Sequence, residues 1–198
     1  MCIRDRKSGL LNLPNLLTLA RIAAVPVIVV LLLSDSRAAG MWAAAIFGLA
    51  AVTDFIDGWL ARKWGVVTVL GKFLDPLADK LIVMAALIML IPLGRVPAWM
   101  VFLVLAREIV VTGLRSIASS EGIVIDASDL GKYKTIYQMV AIPGLMLHYN
   151  FNWFFGVESS FLQVNMHNFG IFFFYIAFAL TLWSGIDYLQ KFFRVIAR

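Results

Sequence analysis

Charge is scarce in this sequence. Asp, Glu, Lys and Arg make up 15% of it, where an ordinary soluble domain carries about a quarter. Cysteine is nearly missing. The lone Cys2 rules out an intramolecular disulfide, and with it a stapled secreted scaffold. No repeat of 20–50 residues is visible, which argues against a solenoid. A signal peptide is missing too, because no cleavage site follows a short apolar core near the start. Residues 1–9 read as a polar leader with no assignable role. What fills the chain is apolar: 62% of residues are hydrophobic and mean hydropathy is +0.88. A water-facing surface cannot absorb that, which excludes a soluble enzyme and a disordered chain. The net charge of +5 would suggest nucleic acid in a soluble protein, so the placement of the charges has to decide.

A membrane helix needs about 20 apolar residues, and the sequence divides accordingly. A short interfacial amphipathic helix from residue 10 leads into a first span over 16–33, with Pro26 as a kink site. Further spans are expected over 41–63, 73–91, 98–118 (opened by Pro97), 132–149 and 168–189. The expected fold is an all-α integral membrane protein of six transmembrane helices, one membrane domain over 10–198, with an aromatic and polar loop at 150–165. Six spans put both termini on one side. With that side inside, only Arg37 and Arg95 of the 17 basic residues fall outside. This bias orients both termini to the cytoplasm. Trp42, Trp99 and Trp153 near the outer interface and Trp64 near the inner one fit an aromatic belt. The +5 then describes topology, with no nucleic-acid partner.

Asp54, Asp57, Asp75 and Asp79 lie at the inner ends of spans two and three. Each charge within a span costs about 2.5–3.5 kcal/mol at the helix centre. Asp54 and Asp57 are i, i+3 and share a helix face, with Ala61 one turn further on. Asp75 and Asp79 are i, i+4 on the next helix, and Gly71 lies one turn before them. Carboxylates so gathered repel in a low dielectric, and divalent cations remove the repulsion. All-oxygen ligation suits Mg²⁺ or Mn²⁺. Four carboxylates can hold two such ions about 3.5–4 Å apart, an arrangement used in phosphoryl chemistry. The other reading has some of these aspartates cap helices or pair with Arg62, Lys72 and Lys80. Gly58 and Gly71 leave room for a ligand beside the carboxylates or serve helix packing, and Arg62 offers a planar phosphate donor.

The pattern Asp54-x-x-Asp57-Gly58-x-x-Ala61-Arg62 followed by Gly71-x-x-x-Asp75-x-x-x-Asp79 resembles the signature of the CDP-alcohol phosphatidyltransferase family. The blocks NLPNLLTLARI, AVTDFIDGWLARKW, GKFLDPLADK, AREIVVTGLR and GKYKTIYQM, spread over 12–139, are similar to family members that take glycerol 3-phosphate as acceptor. TLWSGIDYL in the last span matches more loosely. The resemblance implies a six-helix homodimer in the bacterial inner membrane, surrounded by membrane lipids, with its active site on the cytoplasmic side. It implies transfer of the phosphatidyl group from CDP-diacylglycerol to sn-glycerol 3-phosphate, giving phosphatidylglycerol phosphate and CMP. The metals would sit on Asp54, Asp57, Asp75 and Asp79, with Asp79 also the base for the acceptor hydroxyl. Gly58, Ala61, Arg62 and Gly71 would face the CDP-lipid, with Thr53 a weaker candidate at the nucleotide.

The acceptor phosphate needs cations, and Arg107, Arg115, Lys132 and Lys134 are the candidates. Arg107 and Arg115 are eight apart on one helix face, while Lys132 and Lys134 open span five, where lipid headgroups are the alternative partners. Arg107 lies deep in an apolar span, and a pairing with adjacent Glu108 is not expected. Arg21, early in span one, can either snorkel to phosphates or approach the acidic cluster. Asp187 and Lys191 are spaced to pair, and His148 and His167 fall near the outer face. Two rivals stand beside the main reading. One is a different acceptor: inositol phosphate, serine or phosphatidylglycerol. The other is a divalent-cation or proton-coupled transporter, disfavoured because the aspartates lie toward one face and no repeated halves are visible.

Overall fold

The computed structural model describes residues 13–64, 69–121, 129–152 and 163–196. Six helices carry the fold: α1 Leu13–Leu32, α2 Arg37–Trp64, α3 Val69–Leu90, α4 Ala98–Ser120, α5 Asp129–Leu147 and α6 Met166–Ile196. Each contains one of the six expected spans to within a few residues. Contacts group the chain into two compact units, Met1–Ala86 and Leu87–Arg198.

In the first unit, α1 packs along α2. The buried face of α1 carries Thr18, Arg21, Ile28 and Leu32, and that of α2 carries Ala39, Ala43, Phe47 and Ala50. Both faces follow helical spacing. α1 is one helix from Leu13 onward, so no break sets an interfacial helix apart from the first span. The apolar run over 16–32 gives the backbone no reason to stop, and Pro26 sits inside the helix without ending it. Residues 10–12 lie outside the described residues, as does the 1–9 leader. α2 starts at Arg37 because Ser36 caps it, its Oγ accepting from the Ala39 N–H at 3.1 Å.

In the second unit, α5 packs along α6, and α4 also lies on α6. The turn from α3 into α4 closes through Gly94, whose φ of +67° suits glycine. The Arg95 N–H reaches Leu90 O at 3.1 Å and the Gly94 N–H reaches Ile91 O at 2.9 Å, satisfying carbonyls that the helix end leaves open. Arg95, counted on the outer side by the charge bias, is buried, with a residue exposure of only 2%. It donates from Nη1 to Leu145 O at 3.2 Å and Met146 O at 2.7 Å, the last turn of α5. A guanidinium can enter an apolar interior when carbonyl oxygens receive it. The expected loop at 150–165 begins and ends as a hairpin: β1 Asn150–Asn152 pairs antiparallel with β2 Gln163–Asn165, Phe151 opposite Val164. His148 Nδ1 lies 3.1 Å from His167 Nδ1 at the base of this hairpin.

Among the described residues, one stretch, Met166–Val195, is long and apolar enough to cross a bilayer, with mean hydropathy 1.9. One third of its window is buried. Leu16–Leu32 is apolar but shorter. Outward faces elsewhere are also apolar, with Trp42, Leu49, Trp99 and Phe102 exposed. Trp153 lies outside the described residues.

The α5–α6 contact is close at its glycines. A Cβ added at Gly170 would stand 2.6 Å from Leu145 N and 2.8 Å from Gly144 C, so the two backbones touch at this point. Backbone cannot give way as a side-chain tip can. Gly170→Ala is therefore expected to cost about 1–3 kcal/mol, read as a lowered thermal midpoint of the protein in detergent. An unchanged midpoint would contradict the contact.

Candidate active site

Two charged clusters form, one in each unit. The first is built on α1. Thr18 and Arg21 are i, i+3 on its buried face, so they present side by side. Arg21 Nη1 lies 2.8 Å from Asp54 Oδ1 of α2 and 2.7 Å from Asp79 Oδ1 of α3. The Thr18 hydroxyl donates to Asp75 Oδ1 at 2.5 Å. Three of the four signature aspartates thus meet the same short stretch of α1. The Arg21 side chain is 2% exposed, while Asp54 and Asp79 keep 42% and 37%. The cation is buried and the carboxylates remain reachable from outside.

Asp57, Gly58, Ala61 and Arg62 continue along α2, and Gly71 lies on α3 one turn before Asp75. Their side-chain surroundings lie outside the described residues. Among the described residues, no group of three or more Asp, Glu, His or Cys stands at metal-holding spacing. The cation found between two of the carboxylates is Arg21. The sequence had left Arg21 between two roles, and the structure brings it to the aspartates. Thr18 is a site residue that the sequence reading did not single out; its i, i+3 spacing to Arg21 was the available signal. Thr53 gives its hydroxyl proton to Ala50 O at 2.9 Å, which ties it to its own helix. An apolar groove of about 200 Å³ runs beside this cluster between α1 and α2, with Ala20, Ala24 and Ala50 on its walls and Arg21 and Thr53 at its polar side.

The second cluster joins α4, α5 and α6. Arg107 Nη1 donates to Glu108 Oε1 at 3.2 Å and Nη2 to Ser184 Oγ at 2.9 Å. The Lys134 ammonium donates to the same Glu108 oxygen. This corrects the expectation that Arg107 and Glu108 do not pair. Adjacent helical side chains leave the backbone in different directions, but a long guanidinium and a long carboxylate can bend toward each other where water is excluded. Of the four acceptor candidates, Arg107 and Lys134 come together around Glu108. Arg115 instead lies over the Tyr188 ring of α6, 5.8 Å from its centroid, and Lys132 is exposed on α5. Lys191 binds Asp187 at 2.8 Å, as its i+4 spacing predicts.

The shared Arg21 nitrogen has an energetic consequence. Without it, Asp54 and Asp79 would face each other as like charges. In a double-mutant cycle of Arg21→Met and Asp79→Asn, unfolding in detergent without divalent metal is expected to reveal a favourable coupling of about 1–3 kcal/mol. Additive effects of the two substitutions would contradict the bridge.

Residues 11–184 match the family model for CDP-alcohol phosphatidyltransferase. A CDP-diacylglycerol–glycerol-3-phosphate 3-phosphatidyltransferase of Bacillus subtilis (strain 168) is 45% identical over 149 residues, 69% of this chain and 77% of the relative. The Salmonella choleraesuis (strain SC-B67) protein of the same name is 39% identical over 185 residues, covering 90% of this chain and 93% of its own length. A rice cardiolipin synthase (CMP-forming) is 37% identical over 207 residues, 96% of this chain and 60% of that protein. The aspartates gathered on α1 lie inside the matched region, and with this extent of likeness the chain belongs to the CDP-alcohol phosphatidyltransferase family.

Proposed function

We propose that this protein transfers the phosphatidyl group of CDP-diacylglycerol to sn-glycerol 3-phosphate, releasing CMP and phosphatidylglycerol phosphate, as a phosphatidylglycerophosphate synthase. The observation that carries the reaction class is the meeting of Asp54, Asp75 and Asp79 on Thr18 and Arg21. The acceptor follows from the names of the bacterial relatives. Arg107 and Lys134, close together on Glu108, suit a phosphorylated acceptor.

The family is generally dependent on divalent metal, and the donor set fits one. Asp54 and Asp79 already share one cationic nitrogen through hard oxygen atoms, the donor type that Mg²⁺ and Mn²⁺ prefer. Asp54, Asp57, Asp75 and Asp79 would hold two such ions. When bound, they would supply Lewis-acid stabilisation of the charge that builds on the pyrophosphate. The rest falls to the side chains. The acceptor hydroxyl oxygen bonds to the phosphorus that carries the diacylglycerol, and the bond from that phosphorus to the CMP oxygen breaks. The hydroxyl proton passes to a carboxylate, for which Asp79 is the candidate: it is partly exposed, and one of its oxygens is already steadied by Arg21. Gly58, Ala61, Arg62 and Gly71 would line the CDP-lipid, with Thr53 a lesser contact. Arg107, Arg115, Lys132 and Lys134 would receive the acceptor phosphate.

The helices run from 19 to 31 residues, and at about 1.5 Å per residue each approaches or exceeds the hydrocarbon thickness of about 30 Å. This supports six spans in one membrane domain over 10–198. The basic bias supports both termini and the active site facing the cytoplasm of a bacterial inner membrane. The working unit is proposed to be a homodimer. The rice relative, named as a cardiolipin synthase, keeps phosphatidylglycerol as the alternative acceptor.

CMP release by purified protein in CDP-diacylglycerol micelles decides among acceptors. Glycerol 3-phosphate is expected to drive release, and inositol phosphate, serine and phosphatidylglycerol are not. Release should stop with EDTA and return with Mg²⁺ or Mn²⁺. Asp79→Asn should abolish transfer while CDP-lipid binding survives. Faster release with phosphatidylglycerol would replace the acceptor, and wild-type turnover by Asp79→Asn would remove the base.

A further inference from the structure

Both arginines proposed for the acceptor lean on one short stretch of α6. Ser184 is 2% exposed. Its hydroxyl donates to Thr181 O at 3.1 Å, which turns its lone pairs to the Nη2–H of Arg107 at 2.9 Å. At the next position, a Cβ on Gly185 would stand 2.9 Å from Arg107 Cγ, 3.5 Å from Nε and 3.8 Å from Cδ. The arginine stem therefore lies flat on bare α6 backbone. One turn beyond Ser184, the buried Tyr188 ring lies beneath the Arg115 guanidinium. Arg107 and Arg115 are two turns apart on α4, and α4 packs on α6. The two helices meet with their matching faces.

Burial alone does not account for this arrangement. If Arg107 served only to fill space, an apolar side chain would do so without the cost of desolvating a charge. Its charge is also not fully used. Nη1 meets Glu108 and Nη2 meets Ser184, but Nε is buried with no hydrogen-bond partner among the described residues. Lys134 meets the same glutamate, so Arg107 does not have this carboxylate to itself. A guanidinium held in advance loses less freedom when it meets a phosphate. Contact at Cγ, close to the root of the side chain, governs the whole arm: displacing it forces a new rotamer and moves the charged end.

We infer that Ser184, Gly185 and Tyr188 are positioning residues, which hold Arg107 and Arg115 in the orientation that receives the phosphate of the acceptor. The inference rests on the acceptor reading proposed above. Ser184 fixes the far end of Arg107, Gly185 gives its stem room, and Tyr188 supports Arg115.

The test is steady-state kinetics with each substrate varied in turn, for the wild type, Arg107→Ala, Gly185→Ala, Ser184→Ala and the double variant Arg107→Ala/Gly185→Ala. Gly185→Ala is expected to raise KM for glycerol 3-phosphate by about fivefold or more and to leave KM for CDP-diacylglycerol nearly unchanged. Ser184→Ala should do the same to a smaller degree. In the Arg107→Ala background, Gly185→Ala should add almost nothing, because it acts through Arg107. If Arg107→Ala itself raises both KM values equally, the acceptor reading fails, and this inference with it. If Arg107→Ala acts on glycerol 3-phosphate alone but Gly185→Ala and Ser184→Ala do not, or multiply its effect, the positioning role is overturned and the acceptor reading stands. Should Gly185→Ala not fold, Ser184→Ala decides by the same split, since it removes an oxygen and adds no bulk.

Discussion

A charge placed in an apolar helix must find an opposite charge or polar oxygens to receive it, and the described fold depends on that constraint. Arg21 meets it most clearly. One nitrogen on α1 serves carboxylates on α2 and α3, so the ion pairs fix three helices against each other. Thr18 adds Asp75 from the same turn. The helices contribute little other charge along these faces, whose buried members are mostly Ala, Ile, Leu and Phe. The acidic residues are therefore gathered by the same contacts that order the unit. The carboxylates keep an exposed side toward which a substrate can come, and the buried cation lies behind them.

The second unit applies the same rule with the signs reversed. There a single carboxylate, Glu108, receives two cations, Arg107 and Lys134. Arg95 completes the pattern without a carboxylate at all, using the carbonyls at the end of α5. Close backbone contact at Gly144 and Gly170, and the bare backbone of Gly185 under the Arg107 side chain, let the helices approach near enough for these short-range partners to meet. Small residues and charged residues thus act together: the first set the distance, the second the register.

Much of this was legible in the sequence, and what was not has a common cause. Apolar run length placed all six helices, because a long apolar run is read from consecutive residues alone. The i, i+3 and i, i+4 spacing of the aspartates gave two faces that could be brought together, and Asp187 with Lys191 was a local pair of the same kind. Partners far apart in sequence were not legible. Nothing local shows that Arg21 meets Asp79, or that Arg95 turns inward to Leu145 and Met146. The Arg107–Glu108 pair was missed because spacing rules describe where side chains leave the helix, not how far long ones bend back. Ser184, Gly185 and Tyr188 lay in the block with the loosest resemblance, and their meaning depends on what α4 places against them. The hairpin at Asn150–Asn152 and Gln163–Asn165 was hidden by a segment read as loop from its composition.

In the proposed reaction the aspartate cluster directs the acceptor hydroxyl onto the phosphorus of the CDP-lipid. The most direct test is glycerol 3-phosphate labelled with ¹⁸O at the attacking primary hydroxyl, followed by mass spectrometry of both products. The label is expected to stay in the new phosphodiester of the lipid product, with none in CMP. Label in CMP, or a lipid product without it, would contradict attack by that hydroxyl and the site built around it.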